Sequence, residues 1–415
     1  MKVIHISTGY NHGGAAIACK RLVEAQRSVG IDARVITQEP GDFPEYIYST
    51  TRSAFKKKMN FIRLAREKFT FLFYEKSKDG RFQYSLANTG ENIVNHPILR
   101  DADIIHLHWV NGGFISLKGL KRIINTGKPI VWTMHDIWAF TGGCHIAGDC
   151  KNYMDICNGC FYLKSNLKDR ISSRQQSLKK DIYSYGNIFF IAPSKWQLNR
   201  AKSSSLLVKQ NIKMIHNPIN IVEDLPTKRY CRNRLLLPEN KKLILFGAFN
   251  TKARHKGMNF LIEALGKLKD TSDTELLIFG KISDDIKKMP LEVNNLGYIS
   301  GGEQMRMVYR AADLFVTPSI EDNLPNTVLE SLVCETPVVA FNTGGIPEII
   351  DHKKNGYLAE YKNAEDLATG IIWCLQKNLK GELSKNAIQK IQSCFENNII
   401  AAKFEKFYQK ILAVH

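Results

Sequence analysis

The chain has 415 residues, a formal net charge of +18, nine cysteines and an ordinary apolar content of 44%. That length is too great for one hydrophobic core and calls for two domains, while the absence of repeats or Pro/Gly/Ser-rich tracts excludes solenoid and low-complexity architectures. The odd cysteine count argues for thiols or metal ligands over a disulfide framework, and the charge surplus implies an anionic partner unless it serves solubility alone.

The opening "MKVIHIST" is a short β-branched run without the longer apolar stretch of a secretory signal. No apolar run reaches the roughly 20 residues needed to cross a bilayer. A cytoplasmic protein is therefore expected. Residues 3–7 read as a buried strand, 13–30 as a helix ending at Gly30, and "DARVIT" as the next strand. The runs 102–109, 129–136 and 187–194 continue the series, each ending in polar residues, with helical patterns such as "SLKGLKRIINTG" between them. The series pauses between residues 217 and 235. It restarts with strands at 242–249, 275–280, 313–319 and 336–345, and with the helical "NFLIEALGKL". Such alternation predicts parallel, doubly wound sheets. The expected division is residues 1–218 and 219–395, with the helical stretch 396–415 able to return to the first domain.

Open sheets of this kind bind ligands at the C-terminal ends of their strands, and several polar stretches fall there. In "SIEDNLPNTVLES" (319–331), Asn323 reads as an N-cap and Pro325 as first-turn residue of a helix that carries Glu330. Its acids either stabilise their own helix or hold a diol. In "GAFNTKARHKGMNF", Lys252, Arg254, His255 and Lys256 gather positive charge before a helix near Gly257. This is either a solvated basic loop or a diphosphate site, though not a Walker loop. Gly13 and Gly14 mark a tight strand-to-helix turn without the dinucleotide fingerprint. His135, at a strand end beside Asp136, is either structural or a donor to substrate. Cys144, Cys150, Cys157 and Cys160 lie within seventeen residues. They read either as packed thiols or as a structural zinc site, with His145 as a substitute ligand. The basic stretches 52–76 and 163–184 are amphipathic. The first interleaves Phe, Ile and Leu with Lys and Arg, and reads either as a packed helix or as contact with an anionic membrane surface.

Taken together, "GGAA", "HLHW", "WTMHDIWAFTGGC", "APSKW", "HNPI", "FGAF", the whole of 309–350 and "NGYLAE" resemble the retaining glycosyltransferases of family 4, the stretch 308–359 being the most specific. The likeness covers nearly the whole chain. It is similar in particular to a subgroup that builds bacterial surface polysaccharides. The resemblance implies a GT-B fold, two facing Rossmann-like domains with a cleft between them. It implies a nucleotide-sugar donor, UDP- or GDP-linked, on the C-terminal domain, and a glycan or lipid-linked acceptor on the N-terminal one. It further implies two acids separated by seven residues that clasp the donor. Counting back from Glu330, which would bind the ribose, the second is Asp322, where the family usually has glutamate; Glu321 falls outside the pair. Lys256 matches the family's diphosphate lysine. Ala248 stands where an arginine is common, so Arg254 or Lys252 would substitute. Gly247, Tyr298, Asn323, Leu324 and Asn326 fall on the donor side, the base being held near Leu296 to Ser300. His135 would reach the transferred sugar, and Gly13 and Gly14 the diphosphate and acceptor.

The implied reaction is transfer with retention at the anomeric carbon and no catalytic metal, any zinc being structural. The protein would be peripheral at the inner face of the cell membrane. Two competing classes remain, a nucleotide-sugar epimerase on the same fold and a basic nucleic-acid-binding protein. The second is disfavoured because the cations fall on helix faces and in the phosphate loop rather than among stacking aromatics.

Overall fold

A computed structural model describes residues 1–164, 168–221, 224–250, 254–281, 284–299, 301–377 and 381–414. The chain divides into two compact units, Met1–Pro218 with Ile400–His415, and Ile219–Ile399.

Among the described residues, the first unit carries seven parallel strands. They are β1 (Lys2–Ser7), β2 (Asp32–Thr37), β3 (Ile47–Ser49), β4 (Ile104–Leu107), β5 (Ile130–Thr133), β6 (Ile188–Ala192) and β7 (Asn211–Met214). Their order is β3-β2-β1-β4-β5-β6-β7, so the order reverses between β1 and β4. Side chains alternate across the sheet. Ile4 and Ile6 of β1, Ile105 and Leu107 of β4, and Ile130 and Trp132 of β5 enter one core layer. Val3, Ile104 and Val131 enter the other, with Leu22 and Val23 of the helix Gly14–Ser28. Most of the helix Asn397–Val414 packs on that second layer through Ile400, Phe404, Phe407, Tyr408 and Ile411.

The second unit carries β8 (Lys242–Asn250), β9 (Thr274–Lys281), β10 (Glu292–Gly297), β11 (Leu314–Thr317), β12 (Val338–Phe341) and β13 (Gly356–Ala359). Their order, β10-β9-β8-β11-β12-β13, reverses between β8 and β11. Leu243, Leu245 and Phe315 face one apolar layer, while Ile244, Phe246, Leu314 and Val316 face the other. Both sheets bury both faces, which is why their strands read as continuous apolar runs. In each unit the reversal opens a crevice at the strand C-termini. The loops after β1 and β4, and after β8 and β11, therefore border these crevices.

Candidate functional site

In the second unit, β8 leads into a short 3-10 turn, Arg254–Lys256, and then through Gly257 into the helix Met258–Gly266. Lys252 lies outside the described residues, and so does the side chain of Arg254. After β11 the loop from Pro318 runs to the helix Asn326–Val333, whose N-cap is Pro325. The N-cap expected at Asn323 is thus displaced by two residues. The fixed ring geometry of Pro325, with an extended ψ of 119°, starts the helix without a side-chain cap.

Asp322 stays outside that helix. Its Oδ2 accepts from Lys256 Nζ at 2.7 Å, both side chains being roughly one-fifth exposed at 19% and 24%. The loop that holds Asp322 is gripped from two sides. The Ile320 amide donates to the His255 carbonyl at 2.7 Å. From the β12 side, Thr343 Oγ1 donates to the Ile320 carbonyl at 3.1 Å, and the Gly345 amide to the Asp322 carbonyl at 3.1 Å. Two glycines permit this closeness. A Cβ on Gly257 (φ +72°) would sit 1.9 Å from the Pro318 oxygen, and one on Gly344 (φ +61°) 1.9 Å from the Asp322 oxygen. Glu330 lies one turn into its helix, and Tyr309 Oη donates to it at 3.2 Å. Burial, with the Lys256 ammonium beside it, lowers His255 to about 4, so the imidazole is neutral near pH 7.

Other donor-side expectations are placed as follows. Leu324 packs in the core layer with Phe315 and Val328, so its side chain is committed to the core. A Cβ on Gly247 would strike the Phe279 ring, which explains that glycine by packing. Tyr298 is exposed just after β10, whereas Asn323 and Asn326 are half-buried beside Asp322 and at the helix start.

The first unit holds a cavity of about 730 Å³ at its own reversal point. Gly13, Gly14, Glu39, Trp109, His135 and Asp136 line it, with Lys57, Asn60 and Phe61 from the helix Ala54–Leu72. The three sequence-selected residues Gly13, Gly14 and His135 therefore share one cavity. Gly13 adopts φ +96° as N-cap of the helix Gly14–Ser28, a conformation that favours glycine. Glu39 fixes the preceding loop by accepting from the Tyr10 and Asn11 amides at 2.7 and 3.0 Å and from His12 Nδ1 at 3.0 Å. Asp136 ties together the loops after β4 and β5. Its Oδ2 accepts from Trp109 Nε1 at 3.0 Å and from His145 Nδ1 at 2.6 Å, and its Oδ1 from the Trp138 amide at 2.8 Å. Burial opposes its ionisation, but His145 and the Trp138 amide outweigh this and hold the carboxyl below the usual range. Glu39 and Trp109 carried no separate signal in the sequence, because their partners lie 28 and 27 residues away.

Among the described residues, the four cysteines of the zinc expectation are not a group whose ligand atoms all lie within 4.8 Å of one another, and Cys144 feels Cys160, Cys157 and Cys150 electrostatically. Cys157 and Cys160 are buried, Cys144 and Cys150 half-buried, and all four are thiols outside any disulfide. The one group of three described ligand atoms within reach of a common ion is His5, Cys19 and His108 instead. Cys157 Sγ accepts from the Gly142 amide at 3.1 Å, burial pushes the Cys144 and Cys157 thiols up, and His145 is committed to Asp136 and Ser85. A second cavity, of about 750 Å³, is lined by Lys228, Arg310 and Glu335 among others. Lys228 already pairs with Asp313 and Arg310 with Glu335, and the cavity contains none of the residues above.

The family model for Glycosyltransferase Family 4 matches residues 12–223. The chain belongs to glycosyltransferase family 4. A second model, Glycosyl transferases group 1, matches residues 240–377. An uncharacterized glycosyltransferase of Methanocaldococcus jannaschii is 25% identical over 86% of this family 4 chain and 84% of its own. The putative colanic acid biosynthesis glycosyl transferase WcaC of Escherichia coli is 22% identical over 74% of this chain and 76% of its own. The solved structure of Anabaena HepE in complex with UDP-glucose superposes with a TM-score of 0.64 at 15% identity, covering 99% of this chain and 100% of that one. Two parallel Rossmann-like sheets and this likeness establish the GT-B fold. As a family 4 member the protein is a glycosyltransferase.

Proposed function

We propose that the protein transfers a hexosyl group, with retention, from a UDP-linked sugar to a lipid-linked or polysaccharide acceptor in bacterial surface-glycan synthesis. The observation that carries this reading is the Lys256–Asp322 pair at 2.7 Å on the ligand edge of β8 and β11. In the free protein the two charges satisfy each other. A donor diphosphate competes for Lys256, and Asp322 is then released to accept from hydroxyls of the transferred sugar. Glu330 accepts from the ribose, while Lys256 and Arg254 offset the charge that develops on the leaving diphosphate. The bond from the anomeric carbon to the diphosphate oxygen breaks. The acceptor oxygen forms the new bond on the same face, and its proton passes to the diphosphate. His135, Gly13 and Gly14 serve the sugar and acceptor from the first unit. UDP is favoured over GDP by the likeness to HepE, and a surface glycan by the name of the Escherichia coli relative.

The helix Ala54–Leu72 supports a peripheral membrane role. Phe55, Phe61 and Phe69 stand more than half exposed, at 69%, 70% and 62%, among Lys56, Lys57, Lys58 and Arg66. Aromatic anchors between cations suit the interface of an anionic bilayer. Among the described residues, no helix is long and apolar enough to cross a membrane.

The test is nucleotide release. Wild-type protein should release UDP from one member of a UDP-sugar panel in the presence of membrane extract, and the matching donor should raise its melting temperature. Glu330→Ala should abolish both effects; full activity in that variant removes the ribose clasp. Turnover of donor without any acceptor would favour an epimerase instead.

A further inference from the structure

Four histidines form a row on the face of the first sheet covered by the helices Gly14–Ser28 and Asn397–Val414. His5 of β1 lies opposite His106 of β4 in register. His108 and His135 continue the same face, two residues on from His106 and two past the end of β5. His5, His106 and His108 are fully buried, and His135 is half-buried at the cavity wall.

One continuous set of contacts joins them. His135 Nε2 meets His108 Nδ1 at 2.9 Å, His108 Nε2 meets His5 Nδ1 at 2.9 Å, and His5 Nε2 meets Gln26 Oε1 at 2.8 Å. From the other end of the same amide, Gln26 Nε2 donates to Tyr408 Oη at 2.9 Å. Tyr408 Oη meets His106 Nδ1 at 2.6 Å, and His106 Nε2 meets Thr133 Oγ1 at 2.7 Å. Burial lowers His5 and His135 to about 4, and His106 and His108 well below their usual value, so all four rings are neutral near pH 7.

A neutral imidazole has one N–H and one lone pair. Where ring faces ring, each must donate in one direction and accept from the other, so the three linked rings share a single direction. That direction is fixed where the row ends. An amide oxygen only accepts, so His5, then His108, then His135 must each carry its proton on Nε2. An amide nitrogen only donates, so Tyr408 accepts from it and donates to His106. Turning this one amide over would reverse both arms. We infer that Gln26 is a positioning residue that sets the tautomer of His135, placing its lone pair on Nδ1 as an acceptor for a substrate hydroxyl. The substrate clause rests on the proposed glycosyl transfer; the tautomer does not.

The experiment labels the histidines of the full chain with 15N and reads each tautomer from long-range 1H–15N correlations. Wild-type protein should show Nε2–H at His5, His106, His108 and His135. Gln26→Met removes both ends of the amide at similar volume, so His135 should shift to a mixture with substantial Nδ1–H. Tyr408→Phe breaks only the other arm and should leave His135 as Nε2–H. With the donor identified above, Gln26→Met should lower kcat about 10-fold or more at unchanged donor KM. An Nδ1–H tautomer of His135 in the wild type overturns the inference whether or not any variant folds. An unchanged His135 in folded Gln26→Met does so as well. Because the tautomers are read without substrate, a failure of the proposed transfer reaction leaves the tautomer assignment untouched.

Discussion

Gly344→Ala tests whether the position of the Asp322 loop, rather than mere foldedness, controls donor chemistry. The added Cβ would lie 1.9 Å from the Asp322 carbonyl oxygen, and real Cβ contacts do not fall below 3.0 Å. The loop or the turn at 343–345 must therefore move by at least about 1.1 Å, and the Gly345 to Asp322 hydrogen bond at 3.1 Å cannot survive such a shift. The left-handed φ of +61° adds a backbone cost of roughly 1–2 kcal/mol for an L residue. Gly127→Ala separates the two effects. That glycine has φ +76°, and no described atom lies within 4 Å of where its added methyl would sit, so it carries the backbone cost without a collision. Both variants should melt a few degrees below wild type. A misplacement of about 1 Å costs on the order of 100-fold in rate, so only Gly344→Ala should lose about 100-fold in UDP release per folded molecule. Equal turnover in the two variants would refute the claim that this turn holds Asp322 in place.

Stability should depend on pH through the histidine row. His5 titrates near 4 in the folded chain against 6.5 as its ordinary value, so between these limits the unfolded state binds the proton that the folded state refuses. Stability is full above about pH 6.5 and falls as pH drops toward 4, by on the order of 1 kcal/mol per pH unit for His5 alone. The urea midpoint should be lower at pH 5 than at pH 7, and equal midpoints would count against the buried, neutral row. On the helix Ala54–Leu72 and just beyond it, Phe69 and Phe73 are 62% and 59% exposed. Changing both to Ser should weaken sedimentation with anionic vesicles by about 10-fold or more while leaving the melting temperature nearly unchanged. Undiminished sedimentation would show that this face does not meet the bilayer.

Much of the fold was legible because its strands are buried on both faces. "DARVIT" coincides with β2, the strands β4, β5, β6, β11 and β12 fall within the apolar runs that announced them, and β1, β8 and β9 overrun theirs by one residue at an end, β9 at both. The elements that escaped are short or lie at an edge: β3 has three residues, β7 is the polar and mostly exposed "NIKM", and β13 has four. The pairing of Asp322 with Lys256 joins two stretches singled out separately, 66 residues apart. The resemblance picks Asp322 over Glu321 through the seven residues that separate it from Glu330, and the Asp322 carboxylate meets Lys256. What spacing could not reveal were partners supplied by distant loops and a helix: Glu39 for the glycine loop, Gly344 under Asp322, and Gln26 at the head of the histidine row.

The helix Asn397–Val414 has a bearing on the order of assembly. Tyr408 supplies the hydroxyl between Gln26 and His106, and Phe404 and Ile411 close the core layer over β1 and β4. These residues follow the whole of the second unit in the chain, whereas Ile219–Ile399 is one uninterrupted segment. During synthesis the second unit can complete its core from a single stretch, while the first must wait, with its imidazoles uncovered, for a part made after the second unit. The expected consequence is an inversion of the usual N-terminal-first order of domain maturation, with proteolysis of nascent chains cutting the first unit for longer than the second.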